Sequence, residues 1–179
     1  LTLGQVQILR SVWSVDLAVT IQHVRLRLNV FSATRGLSMA IRLLPGVIPT
    51  IQRLNLHPSL QQIAELRSGL ILICGATGTG KSTTIAAVID EINRNRAAHI
   101  VTLEDPIEYR FTSKQSFVEQ RELGTHMPSF EKGLTDVLRE DPDVIVVGEL
   151  REPEVMRLTL NAAESGHLVI ASLHATNAE

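Results

Sequence analysis

The sequence predicts an α/β protein in which a mainly parallel sheet is covered by helices and is preceded by part of a small α+β domain. From about residue 59, short apolar runs alternate with helical patterns, which is typical of parallel strands buried on both faces. Before that point, apolar and polar residues alternate at period two, as in a half-buried strand. The chain has 179 residues, 44% of them hydrophobic, which is enough apolar material for a core.

The N-terminal part, residues 1–46, is predicted to hold an antiparallel strand pair. The segment VRLRLNVF alternates polar and apolar side chains, SATRG follows as a turn, and LSMAIRLLP is the second strand. Proline and glycine residues then interrupt the pattern, so residues 47–58 are predicted to form a linker. The first fifteen residues carry no informative pattern.

Residues 59–179 are predicted to form the core domain, truncated at its C-terminus. Helices are predicted at 81–93, at 129–140 with Ser129 as N-cap, and at 153–164, where a proline occupies the first turn. Strands are predicted for LILIC (70–74), HIVTL (99–103), DVIVVG (143–148) and HLVIASL (167–173).

Composition and charge exclude several classes of protein. The net charge of −2 and the pI of about 6.3 provide no global basic field for nucleic acid or an anionic membrane. Neither a membrane-spanning run nor a signal peptide is recognised, so a cytoplasmic protein is expected.

The single cysteine, Cys74, lies in an apolar run and is predicted to be buried. A first residue other than Met, Leu1, and an abrupt end predict a fragment of a longer chain.

The segment GATGTGKS fits the pattern G-x-x-x-x-G-K-[ST], between a predicted strand and a predicted helix. Glycines let several backbone N–H groups point at one phosphate, and the helix start adds a partial positive charge. Lys81 can reach the β- and γ-phosphates, and the Ser82 hydroxyl can bind Mg²⁺. The sequence therefore predicts a nucleoside triphosphate site formed by Gly75, Ala76, Thr77, Gly78, Thr79, Gly80, Lys81, Ser82 and Thr83.

Acidic residues follow two of the predicted strands, at the sheet edge where ligands of parallel sheets bind. LEDPIEY places Glu104, Asp105 and Glu108 there, where carboxylates can accept a proton from an attacking water or bind a metal indirectly. DVIVVGELRE delivers Glu149, which can hold a Mg²⁺-bound water or act as the base. Which glutamate is the base stays open. Asp143 starts its strand, at the other edge, and is expected to be structural.

Two histidines frame the last predicted strand. His174 follows its carboxyl end, so the same rule predicts that it lies near the γ-phosphate. His167 starts the strand and is expected to be a structural partner buried beneath the site.

No arginine of the core segment is an obvious arginine finger. Arginines cluster instead on the predicted N-terminal strands, at Arg25, Arg27, Arg35 and Arg42. These arginines form either a solvated sheet face or a group that contacts the nucleotide of a neighbouring subunit in trans. In other NTPases, an arginine supplied in this way raises the hydrolysis rate by on the order of 10³–10⁵.

Four segments together resemble the secretion ATPase superfamily, the hexameric motors of type II secretion, type IV secretion and type IV pili. GATGTGKSTT, TLEDPIEY, DVIVVGELRE and AAESGHLVIASLHATN resemble, in order, its Walker A, Asp, Walker B and His boxes. VEQRELGTHMPSFEKGLTDVLREDPD and AAESGH are most similar to the PilT-like pilus retraction ATPases. The resemblance implies a RecA-like P-loop core behind part of a PAS-like N-terminal domain.

The resemblance also implies roles. ATP and Mg²⁺ are the expected cofactors, with Ser82 and Glu149 as metal-binding residues. A homo-oligomer, a hexamer, is expected to work with the pilus machinery and a platform protein at the cytoplasmic face of the inner membrane, without direct contact with nucleic acid. The residues that match the family's catalytic positions are Glu104, Glu108, Glu149, His174 and, in trans, Arg27 and Arg42. His167 matches the family's other histidine.

The leading hypothesis is an ATP-hydrolysing motor of pilus retraction and twitching motility. One alternative is a pilus assembly or secretion motor of the same superfamily. A second is a P-loop ATPase that acts on nucleic acid, which the mild acidity disfavours. A third is a non-catalytic or truncated nucleotide-binding subunit, against which the intact Lys81, Ser82 and Glu149 argue.

Overall fold

A computed structural model describes residues 1–174. The chain folds into two compact units, Leu1–Gly46 and Val47–Glu179. Among the residues described, no helix is both long enough and apolar enough to cross a membrane.

The first unit is one helix followed by a three-stranded antiparallel sheet. Helix α1 (Leu3–Val12) precedes strands β1 (Ser14–Ile21), β2 (Val24–Ala33) and β3 (Gly36–Leu43), which pair in that order. The predicted pair, β2 and β3, is confirmed, whereas α1 and β1 were missed. A capping box between Thr2 and Gln5 starts α1. Gln22 and His23, both at positive φ, form the tight connection between β1 and β2.

Over the described residues 47–174, the second unit is a five-stranded parallel sheet with helices on both faces. Its spatial order is β4-β8-β7-β5-β6. The elements in chain order are α2 (Ser59–Glu65), β4 (Gly69–Cys74), α3 (Lys81–Asn95), β5 (His99–Glu104), β6 (Phe117–Glu122), α4 (Phe130–Val137), β7 (Val144–Val147), α5 (Pro153–Glu164) and β8 (Leu168–Leu173).

Successive residues of each central strand enter opposite cores, which explains the continuous apolar runs. On one face, Ile100 and Val144 pack in a cluster that includes residues of α3. On the other face, Val101 and Ile145 pack in a cluster that includes residues of α4 and α5. The two layers cover the sheet, so the loops at the strand ends are held by buried strands.

Several local predictions can be compared with these elements. The Ser129 hydroxyl accepts a hydrogen bond from the Lys132 N–H at 3.1 Å and caps α4, as predicted. Cys74 was predicted to be buried and is exposed, because β4 lies at an edge of the described sheet. Strand β6 and helix α2 were missed. Ile51, in the segment predicted to be a linker, is only 1% exposed and packs in the core of the second unit.

Candidate nucleotide-binding site

The candidate site lies at the carboxyl edge of the parallel sheet. Because all five strands run the same way, the segments that follow their ends converge on one edge. The loop 75–80 follows β4, Glu104 ends β5, Glu149 follows β7 and His174 follows β8. The topology thus brings to one edge the residues that the sequence predicted from separate motifs.

The loop between β4 and α3 requires glycine at three positions. Gly75, Gly78 and Gly80 have φ values of 153°, 81° and 96°, in a region that other residues rarely adopt. A Cβ atom on Gly75 would lie 2.8 Å from the Thr79 Oγ1 atom. That hydroxyl donates to the Ala76 carbonyl at 2.8 Å and closes the turn. The loop is therefore a compact backbone cradle.

Lys81 begins α3 and bends back over this cradle. Its buried ammonium donates to the carbonyl oxygens of Gly75 at 2.9 Å and of Ala76 at 3.0 Å. Gly80 is the N-cap and provides no side-chain hydrogen bond, so the first N–H groups of the helix are not capped by a side chain. Ser82 lies exposed in the first turn. A cation, a helix start and a hydroxyl together form a site suited to phosphate.

His174 connects the cradle to Glu149. The His174 Nε2 atom is 3.1 Å from Glu149 Oε1, and its Nδ1 atom is 3.5 Å from the Thr77 hydroxyl. Arg151 holds the second carboxylate oxygen of Glu149 at 2.6 Å. The hydrogen bond from Arg151, with the positive charges of Arg151, His174 and Lys81, lowers the pKa of Glu149 below its ordinary value. Glu149 is therefore a stable anion beside the cradle.

Glu104 has the opposite character. Burial raises the pKa of its carboxyl above the usual range, and the charge of Glu108 adds to this effect. Hydrogen bonds counteract the rise: the Thr102 hydroxyl and the Gln120 amide donate to Oε1 at 2.7 Å and 3.0 Å, and the Glu108 N–H donates to Oε2 at 3.4 Å. The two glutamates at this edge thus differ in their readiness to accept a proton.

Two predicted structural residues lie at the opposite, amino edge of the sheet. The Asp143 carboxylate accepts a hydrogen bond from the His99 N–H at 2.7 Å and joins the starts of β5 and β7. The His167 Nδ1 atom lies 3.0 Å from the Ser165 hydroxyl and 2.9 Å from the Ala162 carbonyl, at the end of α5. His167 therefore contacts the end of a helix, at the sheet edge away from the cradle.

The predicted trans-acting arginines belong to the first unit, whereas the cradle belongs to the second. Arg27 on β2 and Arg42 on β3 are direct cross-strand partners and lie on the same sheet face. The Arg27 Nε atom is 3.9 Å from an oxygen of Asp16. Two like charges directly opposite each other are destabilising in a sheet, so this face concentrates positive charge at a cost in stability.

Three residues that contact the site were not singled out from the sequence. Tyr109 lies 3.0 Å from the Thr83 hydroxyl, Gln120 donates to Glu104, and Arg151 binds Glu149. Tyr109 and Arg151 lie inside the motifs LEDPIEY and DVIVVGELRE, where the acidic residues carry the stronger chemical signal. No signal marked Gln120, because β6 itself was not predicted.

The donor atoms at the site suit Mg²⁺ better than a metal held by protein alone. Within residues 1–174, no group of three or more His, Cys, Asp or Glu side chains could hold a metal ion. Ser82 offers a hydroxyl, and Glu149 a carboxylate. Mg²⁺ in nucleotide sites is typically bound by one or two protein oxygens together with substrate phosphates and waters. The pair Ser82 and Glu149 fits that pattern.

A parallel sheet with this glycine-rich cradle at its carboxyl edge defines a P-loop protein. The chain belongs to the family of type II/IV secretion system proteins, which it matches over residues 13–179. It is 47% identical over 165 residues to a twitching motility protein of Neisseria gonorrhoeae, covering 92% of this chain and 44% of the relative. It is 44% identical over 154 residues to the type IV pilus retraction ATPase PilT of Pseudomonas aeruginosa, covering 86% of this chain and 45% of that protein.

The fold is also similar to a solved structure. A crystal structure of the pilus retraction motor PilT with bound ADP matches the chain with a TM-score of 0.95 at 45% identity, covering 98% of this chain and 51% of that one. The predicted fold class, a RecA-like core with a parallel sheet behind a small N-terminal sheet, is confirmed. The chain spans about half the length of the curated relatives it matches.

Proposed function

We propose that this chain contains the nucleotide site of a motor that hydrolyses ATP to ADP and phosphate. The observation that carries the proposal is the series of contacts from the P-loop residue Thr77 through His174 to Glu149. It joins the phosphate cradle to a carboxylate at the end of another strand. A cradle alone would suit any phosphate ligand, whereas a carboxylate coupled to it suits triphosphate hydrolysis.

In this proposal, the loop N–H groups and Lys81 bind the γ-phosphate of ATP. The Lys81 ammonium would then exchange its hydrogen bonds to the Gly75 and Ala76 carbonyl oxygens for bonds to the phosphate. Ser82 and Glu149 would hold Mg²⁺, which neutralises charge on the β- and γ-phosphate oxygens. The contacts of His174 with Thr77 and Glu149 support the proposal that it responds to the γ-phosphate.

Glu104 and Glu149 have different roles in this proposal. The water oxygen bonds to the γ-phosphorus, the bond to the bridging oxygen of ADP breaks, and the water proton passes to a carboxylate. A general base works best when its pKa is near the operating pH. The pKa of Glu104 is raised and that of Glu149 is lowered, so we assign proton transfer to Glu104. Glu108, whose N–H donates to Glu104, helps to set that carboxyl's pKa.

The first unit completes the site from a neighbouring subunit. Arg27 and Arg42, side by side on one sheet face, are assigned to contact the nucleotide in trans. This assignment requires a homo-oligomer, and a hexameric ring is the form that the resemblance to the secretion ATPases implies. Hydrolysis would release the arginine-bearing unit and move it as a rigid body, which converts the cleavage of one bond into displacement.

The names of the relatives support pilus retraction as the function of the motor. Two of the relatives, 47% and 44% identical to this chain, are named for twitching motility and pilus retraction. We therefore assign the motor to type IV pilus retraction, at the cytoplasmic face of the inner membrane with a platform protein. The family also includes secretion proteins, so a pilus assembly or secretion motor is the alternative.

Steady-state ATP hydrolysis tests the catalytic proposal. The native protein and Lys81→Ala are compared at high protein concentration, with Lys132→Ala as the matched control, because Lys132 pairs with Asp136 on the surface of α4. The proposal predicts hydrolysis by the native protein and by Lys132→Ala, and loss in Lys81→Ala. Equal rates for native protein and Lys81→Ala would contradict it.

A mixing experiment tests the trans assignment. Lys81→Ala and Arg27→Ala are each expected to be inactive alone. Mixed, they form interfaces that combine an intact cradle with an intact arginine, so part of the activity is expected to return. If the mixture stays inactive while both variants still assemble, the arginines do not act across the interface. Twitching and secretion assays on a deletion strain then distinguish retraction from the alternative.

A further inference from the structure

The segment between β5 and β6 is bound to the first turn of the P-loop helix. Tyr109 in this segment is only 6% exposed, and its hydroxyl lies 3.0 Å from the Thr83 hydroxyl. Thr83 follows Ser82, the proposed Mg²⁺ ligand, directly in the chain. Tyr109 therefore contacts the helix within one residue of the proposed metal site.

Gln120, on the neighbouring strand β6, links the same tyrosine to Glu104. Its Nε2 atom donates to the Tyr109 carbonyl at 2.8 Å and to Glu104 Oε1 at 3.0 Å. Its Oε1 atom accepts from the Phe111 N–H at 2.9 Å. The Phe111 bond requires the oxygen on that side, so all three contacts agree on one orientation of the amide.

We propose that Thr83, Tyr109 and Gln120 form a hydrogen-bonded relay that positions Glu104 relative to the first turn of the P-loop helix. The inference rests on the proposed function, in which Glu104 accepts the water proton. The three are positioning residues: they act through Glu104 and Ser82.

The relay has a specific chemical consequence. Thr102 and Gln120 both donate to Oε1 of Glu104, at 2.7 Å and 3.0 Å. Oε2 accepts the longer bond, 3.4 Å, from the Glu108 N–H. Oε2 has the weaker hydrogen bond, so we assign the proton to this oxygen. Gln120 stabilises the carboxylate form by its bond to Oε1.

The segment has contacts with α3 that do not involve the Tyr109 hydroxyl. At its other end, the buried Asn93 of α3 donates to the Thr112 carbonyl at 2.9 Å and accepts from the Lys114 N–H at 2.9 Å. Lys114 also pairs with Asp90. These contacts hold the segment on α3 when the Tyr109 hydroxyl is removed, so Tyr109→Phe cuts the relay without detaching the segment.

The test compares Tyr109→Phe, Gln120→Leu and the double variant for kcat, KM and the pH dependence of kcat. We expect kcat to fall about 10–100-fold in Gln120→Leu, because small misplacements of a reacting group have effects of this size. In Tyr109→Phe, kcat is expected to fall about 3–10-fold. In both single variants, KM is expected to stay within about twofold of the native value. The double variant is expected to be no slower than Gln120→Leu, since both substitutions interrupt one pathway.

A purely structural role for Gln120 would not move the acid limb of the pH profile. The relay predicts that Gln120→Leu shifts this limb to higher pH, because the lost hydrogen bond favoured the ionised Glu104. Gln115→Leu is the matched control, since the Gln115 side chain is exposed near the other end of the same segment. An unshifted acid limb in Gln120→Leu, whatever its kcat, or multiplicative losses in the double variant, would overturn the relay.

Failure of the relay and failure of the proposed function give different results. If the native protein hydrolyses no more ATP than Lys81→Ala, the function fails, and the relay is then decided by ¹³C NMR titration of the Glu104 carboxyl. Its resonance is assigned by its loss in Glu104→Gln. A higher pKa in Gln120→Leu supports the relay, and an unchanged pKa overturns it. If Gln120→Leu fails to fold, Thr83→Val interrupts the relay at its other end. The relay then requires the same kcat loss in Thr83→Val. It also requires a kcat loss in the double variant with Tyr109→Phe that is smaller than the product of the two single losses.

Discussion

Gly148 directly follows β7 and lies against the end of β5, and a methyl group there is expected to disturb both stability and catalysis. A Cβ atom at this position would be 3.0 Å from the Leu103 carbonyl oxygen and 3.3 Å from the Glu104 Cα atom. Both atoms belong to the backbone of a buried strand, so no flexible side chain can move aside. The Gly148 N–H also donates to that carbonyl at 2.7 Å, and the Ser172 hydroxyl donates to the Gly148 carbonyl at 2.5 Å.

The expected size of the effect follows from these contacts. Adding a methyl group to a well-packed core costs about 1–3 kcal/mol. For a chain of this size, each kcal/mol lowers the midpoint of thermal unfolding by roughly 2–4 °C, so Gly148→Ala is expected to melt about 2–12 °C lower. Relief of the contact moves Glu104 and Glu149 apart, and ATP hydrolysis is expected to fall as well.

Calorimetry and the ATPase assay measure the two effects, with Gly46→Ala as control. Gly46 has nothing within 4 Å of its Cβ position and no positive φ, so its substitution is expected to leave both readouts unchanged. A Gly148→Ala protein that melts within about 1 °C of the native one and keeps its rate would refute the argument, because overpacking of this kind has a measurable cost.

Three further predictions follow from individual contacts. Because burial raises the pKa of Glu104, the folded state binds its proton more tightly than the unfolded chain, and the ionised form at neutral pH lowers stability. Glu104→Gln is therefore expected to unfold at higher denaturant concentration at pH 8 and to lose ATP hydrolysis. The gain in stability is expected to shrink as the pH falls through the raised folded pKa and to vanish below the unfolded pKa. Asn93→Ala is expected to lower the unfolding free energy by about 2–4 kcal/mol in denaturant titrations, since the buried Asn93 side chain makes two hydrogen bonds that are lost. Arg42→Glu, opposite Arg27, is expected to raise the stability of the first unit by about 0.5–1 kcal/mol in thermal melts while abolishing hydrolysis.

Much of the fold could be predicted because burial leaves a clear pattern in the sequence. DVIVVG contains β7, whose residues are all buried, and helix α5 spans 153–164 as predicted from its proline start. The missed strands lack that pattern. In β1, the exposed Asp16 interrupts the apolar run. In β6, FVEQRE is mostly polar and is held by backbone pairing with β5 at the sheet edge.

The candidate site could be predicted only in part, for a topological reason. Ligands of parallel sheets bind at the carboxyl ends of the strands, and applying this rule requires only the order of the strands in the chain. The rule was enough to predict that the P-loop, Glu104, Glu149 and His174 lie at one edge of the sheet. The contacts between residues depend on which strands are neighbours in space. Gln120 reaches Glu104 because β6 pairs beside β5, which chain order alone does not determine.

Titration calorimetry with Mg·ADP tests the central claim most directly, because it measures binding at the phosphate cradle without requiring a ring or a partner. The native protein and the control Lys132→Ala are predicted to bind one nucleotide per chain with equal affinity. Lys81→Ala is predicted to bind at least about tenfold more weakly, since a charged hydrogen-bonding group contributes about 1.5–3 kcal/mol. Equal affinities for all three proteins, or no binding by the native chain, would contradict the claim that Gly75–Ser82 forms a nucleotide site.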